Sequence, residues 1–264
     1  MMSQVTAVVT VHDPGNRLFD LTRALLPQVM PDYQSFVAYC SAPTDKMTLE
    51  LLDNLGAQVL HDAEMPLGAQ YLGQVRLAAI KAGLDAGASH IHLSDFDRLL
   101  HWQMTYPDEL HAMVREIAAN DFVVLGRTAR AFATHPGYQV ETERLANHVF
   151  ELITGQSWDV LAGSRGMSRE VGEWLLEHST EQNFGVDAEW PVILMSNPAF
   201  SVAYHPCEGL EFETPDRFPD EVAKAGGVQG WVAQRDRSPD AWASRIEFAR
   251  WAAEAAVRAA ARRF

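Results

Sequence analysis

Short apolar runs bounded by turn formers recur through the first half of the chain: "TAVVTV" at 6–11, "SFVAYC" at 35–40, "AQVL" at 57–60, "SHIHL" at 89–93 and "DFVVLG" at 121–126. Continuous runs of this kind, rich in β-branched residues, predict strands buried on both faces. Between them the apolar spacing becomes helical. Asn16 stands where it can cap "RLFDLTRALLPQV", whose Leu18, Leu21, Leu25 and Val29 share a face; Gly56 closes "DKMTLELLDNL" and Gly87 closes "QYLGQVRLAAIKAGLDAG". Strand alternating with helix predicts an α/β fold with a mainly parallel sheet and helices on both faces.

After residue 130 the rhythm changes. "VETERLANHVFELITG" predicts a helix closed by Gly155, "GSRGMSRE" a Gly/Ser/Arg loop followed by more helix, and "FSVAYH" (200–205) a last strand. Residues 207–230 are rich in Pro, Gly and charge and predict an irregular excursion. From Pro239 the tail places Trp242, Ile246, Phe248, Ala249 and Trp251 near helical spacing, with Arg258, Arg262 and Arg263 near the negative end of the helix dipole. This C-terminal helical extension is expected to dock on the domain or on a second copy of the chain, the latter giving a homodimer. The pattern divides the chain into one domain over 1–206, with halves 1–130 and 131–206, and an appendage over 207–264.

Composition narrows the function. With 35 acidic against 21 basic side chains the formal charge is −14, so a nucleic-acid footprint, which needs clustered Lys and Arg, is not expected. No apolar run reaches the ~18–20 residues of a membrane span, and the start "MMSQVTAVVTVHD" has neither the basic region nor the cleavage site of a secretory signal. A cytoplasmic location is the expectation. The only cysteines, Cys40 and Cys207, lie far apart and form no metal or disulfide pattern.

The chemistry concentrates in "HLSDFDRLLHW" (92–102), where Asp95 and Asp97 end an apolar strand. In an open parallel sheet, ligands collect beyond the carboxyl ends of the strands. Two carboxylates one residue apart can turn toward one hard divalent cation, Mg²⁺ or Mn²⁺, while a diphosphate supplies further oxygens. The bland reading is a solvated turn, since a chain of this length yields roughly one Asp-x-Asp by chance.

Several stretches in this order resemble the GT-A nucleotide-sugar transferases, particularly the family-2-like group: "VVTVHDPGNRLFDLTRALL", "SAPTDKMTLELLDNLGAQVL", "GQVRLAAIKAGLDAGASHIHLSDFD", then "DVLAGSRGMSREVGEWL" and "NFGVDAEWPVILM". The order "LAG…RE…FGVD" is similar to that of the glucosyl- and mannosyl-3-phosphoglycerate synthases. The resemblance covers most of residues 5–206. It implies a GT-A fold, with 1–130 as the nucleotide-binding half and 131–206 as the acceptor half of a catalytic domain. It also implies a metal-dependent transfer of a sugar from a nucleotide-diphosphate donor to a small hydroxyl acceptor, anionic or neutral. Two departures bear on the donor: "AYCSAP" offers Cys40 and Ser41 where the group usually carries an acid, and "HDPGN" replaces the common Asn-Glu pair.

What the resemblance implies for single residues stands beside a plainer reading of each. On the donor side it implies His12, Asp13, Arg76, Ser94, Asp95 and Arg98, although "HDPGN" needs its Asp and Pro for a turn anyway, Arg76 can pair with a nearby acid, and Arg98 can merely neutralise Asp95. His205 becomes a third metal ligand beside Asp95 and Asp97, or an ordinary hydrogen-bonding histidine. Asp187 and Glu189 sit at a helix start; one is a general base toward the acceptor hydroxyl, or both cap the helix. Gly163, Ser164 and Arg165 offer N–H groups and a guanidinium to an anionic acceptor, or form a helix-entry loop. The rivals are a nucleotidyltransferase of the same fold, for which "VHDPGNR" is a poor phosphate loop, and a non-catalytic nucleotide-sugar-binding protein.

Overall fold

The computed structural model describes residues 4–262 and 264; Arg263 of the tail lies outside the described residues. Seven strands, β1 (Val5–Val11), β2 (Ser35–Ser41), β3 (Gln58–Asp62), β4 (His90–Asp95), β5 (Phe122–Arg127), β6 (Ser164–Ser168) and β7 (Val202–Cys207), form one sheet in the order β3-β2-β1-β4-β6-β5-β7. Only β6 runs antiparallel to its neighbours, β4 and β5. The helices are α1 (Phe19–Val29), α2 (Lys46–Asn54), α3 (Leu72–Asp85), α4 (Phe96–Thr105), α5 (Pro107–Ala118), α6 (Ala129–Ala133), α7 (Gly137–Thr154), α8 (Arg169–His178), α9 (Val186–Met195), α10 (Pro219–Lys224), α11 (Val228–Arg235) and α12 (Pro239–Ala260).

Side chains alternate across a strand, so the unbroken apolar runs feed two cores at once. Val8, Val37, Ile91 and Val124 join a core with α3, α8, α9 and α12, whereas Val9, Ala38, Val123 and Leu125 join one with α1, α4 and α5. Chain order reverses at β1, which leads outward to β2 and then back to β4. The crevice of interest opens at that β1/β4 switch.

Two expectations are corrected, and a third narrows to one of its two alternatives. The stretch "GSRGMS" is a strand and not a loop: β6 is buried at every position and bonds to β4 and β5 on both sides. Gly166 is required there, because a side chain would collide with Ile117 of α5. Asn16 does not cap α1; it adopts φ 53°, and Asp13 accepts from the Arg17 and Leu18 amides instead, at 2.8 and 3.0 Å. The tail docks on its own chain: α12 packs on α7 and α9 through buried Ala249, Ala252, Ala255, Ala256 and Ala259. Among the described residues no helix is long and apolar enough to cross a membrane.

After β7 the irregular segment folds back over α4. The Glu109 carboxylate fastens it by accepting from the Glu208 and Gly209 amides and from Trp102 Nε1, each at 2.8 Å. Gly209 lies flat against the buried Trp102 indole with no room for a methyl group. Gly209→Ala is therefore expected to destabilise the protein by about 1–3 kcal/mol through overpacking. Urea unfolding with an unchanged midpoint would show that this segment packs more loosely.

Candidate active site

Parallel pairing sets Thr10 of β1 opposite Asp95 of β4, and the Thr10 hydroxyl donates to Asp95 Oδ1 at 2.9 Å. Asp97 lies in the first turn of α4, with Oδ1 accepting from the Arg98 amide at 2.9 Å. Both aspartates line a crevice of about 390 Å³, together with His12, Met65–Ala69, Phe184 and Phe248.

The excursion after β7 supplies what spacing along the chain did not signal. Glu213 and Arg217 both line this crevice. Arg217 Nη1 lies 3.2 Å from Asp97 Oδ2, and Nη2 donates to the His12 carbonyl oxygen at 3.0 Å. Glu213 pairs with Arg98 at 3.1 Å and leaves its Oε2 buried without a hydrogen-bond partner. Burial, then Glu213 and Asp95, push the Asp97 carboxyl up to about 6. The site thus holds more negative charge than its own arginines relieve. Arg245 of α12 also lines the crevice and pairs with Glu143 at 3.2 Å.

Among the described residues, no three His, Cys, Asp or Glu side chains form a ready-made metal cage. The donor chemistry nevertheless fits a hard dication: two neighbouring carboxylates and an unrelieved negative charge, with the cationic Arg217 against Asp97. Mg²⁺ in particular is commonly held by one or two carboxylates plus substrate phosphates.

The other predicted residues separate. His12 lines the crevice, whereas Asp13 is fully buried and held by the Arg17 and Leu18 amides and by Thr48 Oγ1, so it organises the first loop. Ser94 is buried behind Asp95. Arg98 is buried and spent on the Ala162 carbonyl and Glu213. His205 is not beside the pair: it stands on β7, with β6 and β5 between that strand and β4, and its Nε2 is 3.5 Å from Glu116. Asp187 is fully buried between Arg76, to which it bonds, and Arg165 at 3.5 Å. Glu189 is equally enclosed, accepting from Ser179, Thr180 and Arg262. Neither faces the crevice, so the general-base placement gives way to a structural one. Ser164 and Arg165 are buried within β6, Ser164 bonded to His92 and Arg165 to the Val160 and Asp187 carbonyls, so they offer nothing to an acceptor. Gly163 does touch the site. A methyl group there would stand 2.8 Å from Arg76 Nη2 and 3.4 Å from Asp95 Oδ2, so this glycine, at φ 73°, lets the Arg76–Asp187 pair close up beside the aspartate pair.

No protein-family model matches the chain, and no curated protein sequence does. Solved structures do. Glucosyl-3-phosphoglycerate synthase from Mycobacterium tuberculosis, in complex with Mn²⁺, UDP-glucose and phosphoglyceric acid, superposes with TM-score 0.52 at 15% identity, over 90% of this chain and 81% of that one. Its complex with Mn²⁺, UDP and phosphoglyceric acid gives TM-score 0.52 at 14% identity, over 90% and 80%. A mycobacterial protein gives TM-score 0.51 at 13% identity over 76% of this chain, which spans only 66% of that protein's length. At such identities the likeness speaks for architecture, and the chain has the GT-A fold of the nucleotide-diphospho-sugar transferases.

Proposed function

We propose that the chain is a metal-dependent glycosyltransferase that moves a sugar from a nucleotide-diphosphate donor to a hydroxyl of a small anionic acceptor. The observation that carries this reading is the placement of Asp95 and Asp97 at the β1/β4 switch of a GT-A sheet, at the mouth of a crevice with room for a ligand. The two carboxylates would hold Mg²⁺ or Mn²⁺, which when bound neutralises charge developing on the departing diphosphate. A glucosyl-3-phosphoglycerate synthase of similar fold is found in complex with Mn²⁺, UDP-glucose and phosphoglyceric acid.

This chain's residues supply position and charge. Asp95 is fixed by Thr10, and the Arg76–Asp187 pair behind Gly163 stiffens the floor. Arg217 and Arg245 give the crevice the cationic groups that an acceptor phosphate or carboxylate needs, a role the sequence had suggested for Arg165. With Asp187 and Glu189 buried, much of the rate would come from holding the two substrates together.

Thermal unfolding with nucleotide sugars, with and without Mn²⁺, tests the reading. A donor at about a hundredfold excess over its Kd raises stability by about 2.7 kcal/mol, and the rise is expected only with the metal. Turnover with phosphoglycerate and other hydroxy-acid acceptors follows. A metal-independent response, or a preference for nucleoside triphosphates, would overturn it in favour of a binding protein or a nucleotidyltransferase respectively.

A further inference from the structure

His12 follows β1 and is exposed to the crevice, yet one edge of its ring is tied inward. Its Nδ1 lies 2.9 Å from Ser41 Oγ, which lies 3.1 Å from Thr44 Oγ1. The Thr44 hydroxyl donates to the Val11 carbonyl oxygen at 3.2 Å. Each hydroxyl has one proton to give. The proton on Thr44 goes to a carbonyl that can only accept, so the proton on Ser41 must go to Thr44. The bond between Ser41 and His12 is then donated by the imidazole. Ser41 and Thr44 are buried, so water does not interrupt the chain.

A neutral imidazole that carries its proton on Nδ1 has a bare lone pair on Nε2. Burial, and then the Arg217 charge, lower the pKa of His12 and favour this neutral form. Nε2 is the ring nitrogen left over for a ligand, and His12 lines the same crevice as Met65–Gly68 and the aspartate pair.

We propose that His12 Nε2 is a specificity-determining acceptor that reads an N–H on the nucleobase of the donor, with Ser41 and Thr44 as positioning residues that set its polarity. The inference rests on the nucleotide-sugar reading above. Uracil, thymine and guanine present a ring N–H on the base-pairing edge; cytosine and adenine present a lone pair there, which would face the lone pair of His12. The hydroxyl at position 41, standing where the resembled group carries an acid, thus acts through the histidine and need not touch the nucleotide.

UDP and CDP differ at this position and little in size or charge, so calorimetry with the two, each with Mn²⁺, isolates the effect. Wild-type protein is expected to bind UDP roughly tenfold or more tightly than CDP, the cost of an opposed, unpaired polar group. His12→Ala should bring the ratio to within about twofold, with both nucleotides still held through the diphosphate, and Ser41→Ala should lower it in part. Equal affinities in the wild type, or a ratio unchanged in His12→Ala, would overturn the inference. Failure of both nucleotides to bind would be a different result, overturning the nucleotide-sugar reading and this inference with it. Independently of any variant or ligand, ¹⁵N NMR of the wild type should place the His12 proton on Nδ1, and a proton on Nε2 would refute the relay.

Discussion

Asp97→Asn is expected to abolish the metal dependence of nucleotide binding and to cut sugar transfer by about 10²–10³-fold, while leaving the ligand-free protein more stable at pH 8 than the wild type. The loss follows from removing one of the two carboxylates proposed to hold the cation. The gain follows from electrostatics. Burial, Glu213 and Asp95 push the Asp97 carboxyl up to about 6, so from pH 4 to pH 6 the folded protein holds a proton that the unfolded chain has released. The contribution of this group to stability therefore falls as pH rises through that window. Above pH 6 both states are ionised and the full cost remains, on the order of 2–3 kcal/mol. Asparagine removes the charge, and Arg217, left with a neutral partner 3.2 Å away, gives part of the gain back. A net rise of about 1 kcal/mol at pH 8, shrinking toward pH 4, is the expected result of urea unfolding. A metal response equal to that of the wild type would place the cation elsewhere.

The sequence shows only part of this crevice. Asp95 and Asp97 were legible because they interrupt an apolar strand at its carboxyl end. His12 was legible because it follows the first strand. Glu213 and Arg217 were not, since they come from a Pro- and Gly-rich excursion with no period, and their role depends on that segment folding back over α4. Arg245 lies on a helix whose burial pattern says which face packs but not that its rim reaches the crevice.

Six of the seven strands were legible in the sequence, and only β6, whose residues are small, polar or charged, was missed. β6 reads as a loop because Gly163, Ser164, Arg165 and Gly166 look solvated. In the folded chain Arg165 is buried against Asp187, and Gly166 makes room for Ile117, so tertiary context overrides local composition. His205 was assigned by its place at a strand end, but one-dimensional order cannot say that β7 joins the sheet beyond β5 and not beside β4. Asp13 illustrates the reverse: the plain turn reading of "HDPGN" describes its work, holding the Arg17 and Leu18 amides.

Asp187→Asn separates a structural carboxylate from a catalytic one, and the expected outcome is a loss of about 3–5 kcal/mol in unfolding free energy, the cost of stripping a buried ion pair of one partner. Asp187 is fully buried and answers two guanidiniums, Arg76 and Arg165, that are themselves almost wholly buried. With a neutral amide there, two positive charges remain in the interior with no carboxylate between them. Burial already draws Arg165 down to about 10, so little further loss of stabilisation can be absorbed at that site. Only a glycine separates Arg76 from Asp95. A released Arg76 would turn toward Asp95, and affinity for Mn²⁺ with a nucleotide should weaken together with stability. A general base would behave otherwise, losing kcat with its pH dependence while the urea midpoint stayed in place, and that result would restore Asp187 to the chemistry. Arg76→Met combined with Asp187→Asn decides the cause: if the damage comes from uncompensated charge, the double variant is more stable than Asp187→Asn alone, because the second substitution removes one of the stranded cations.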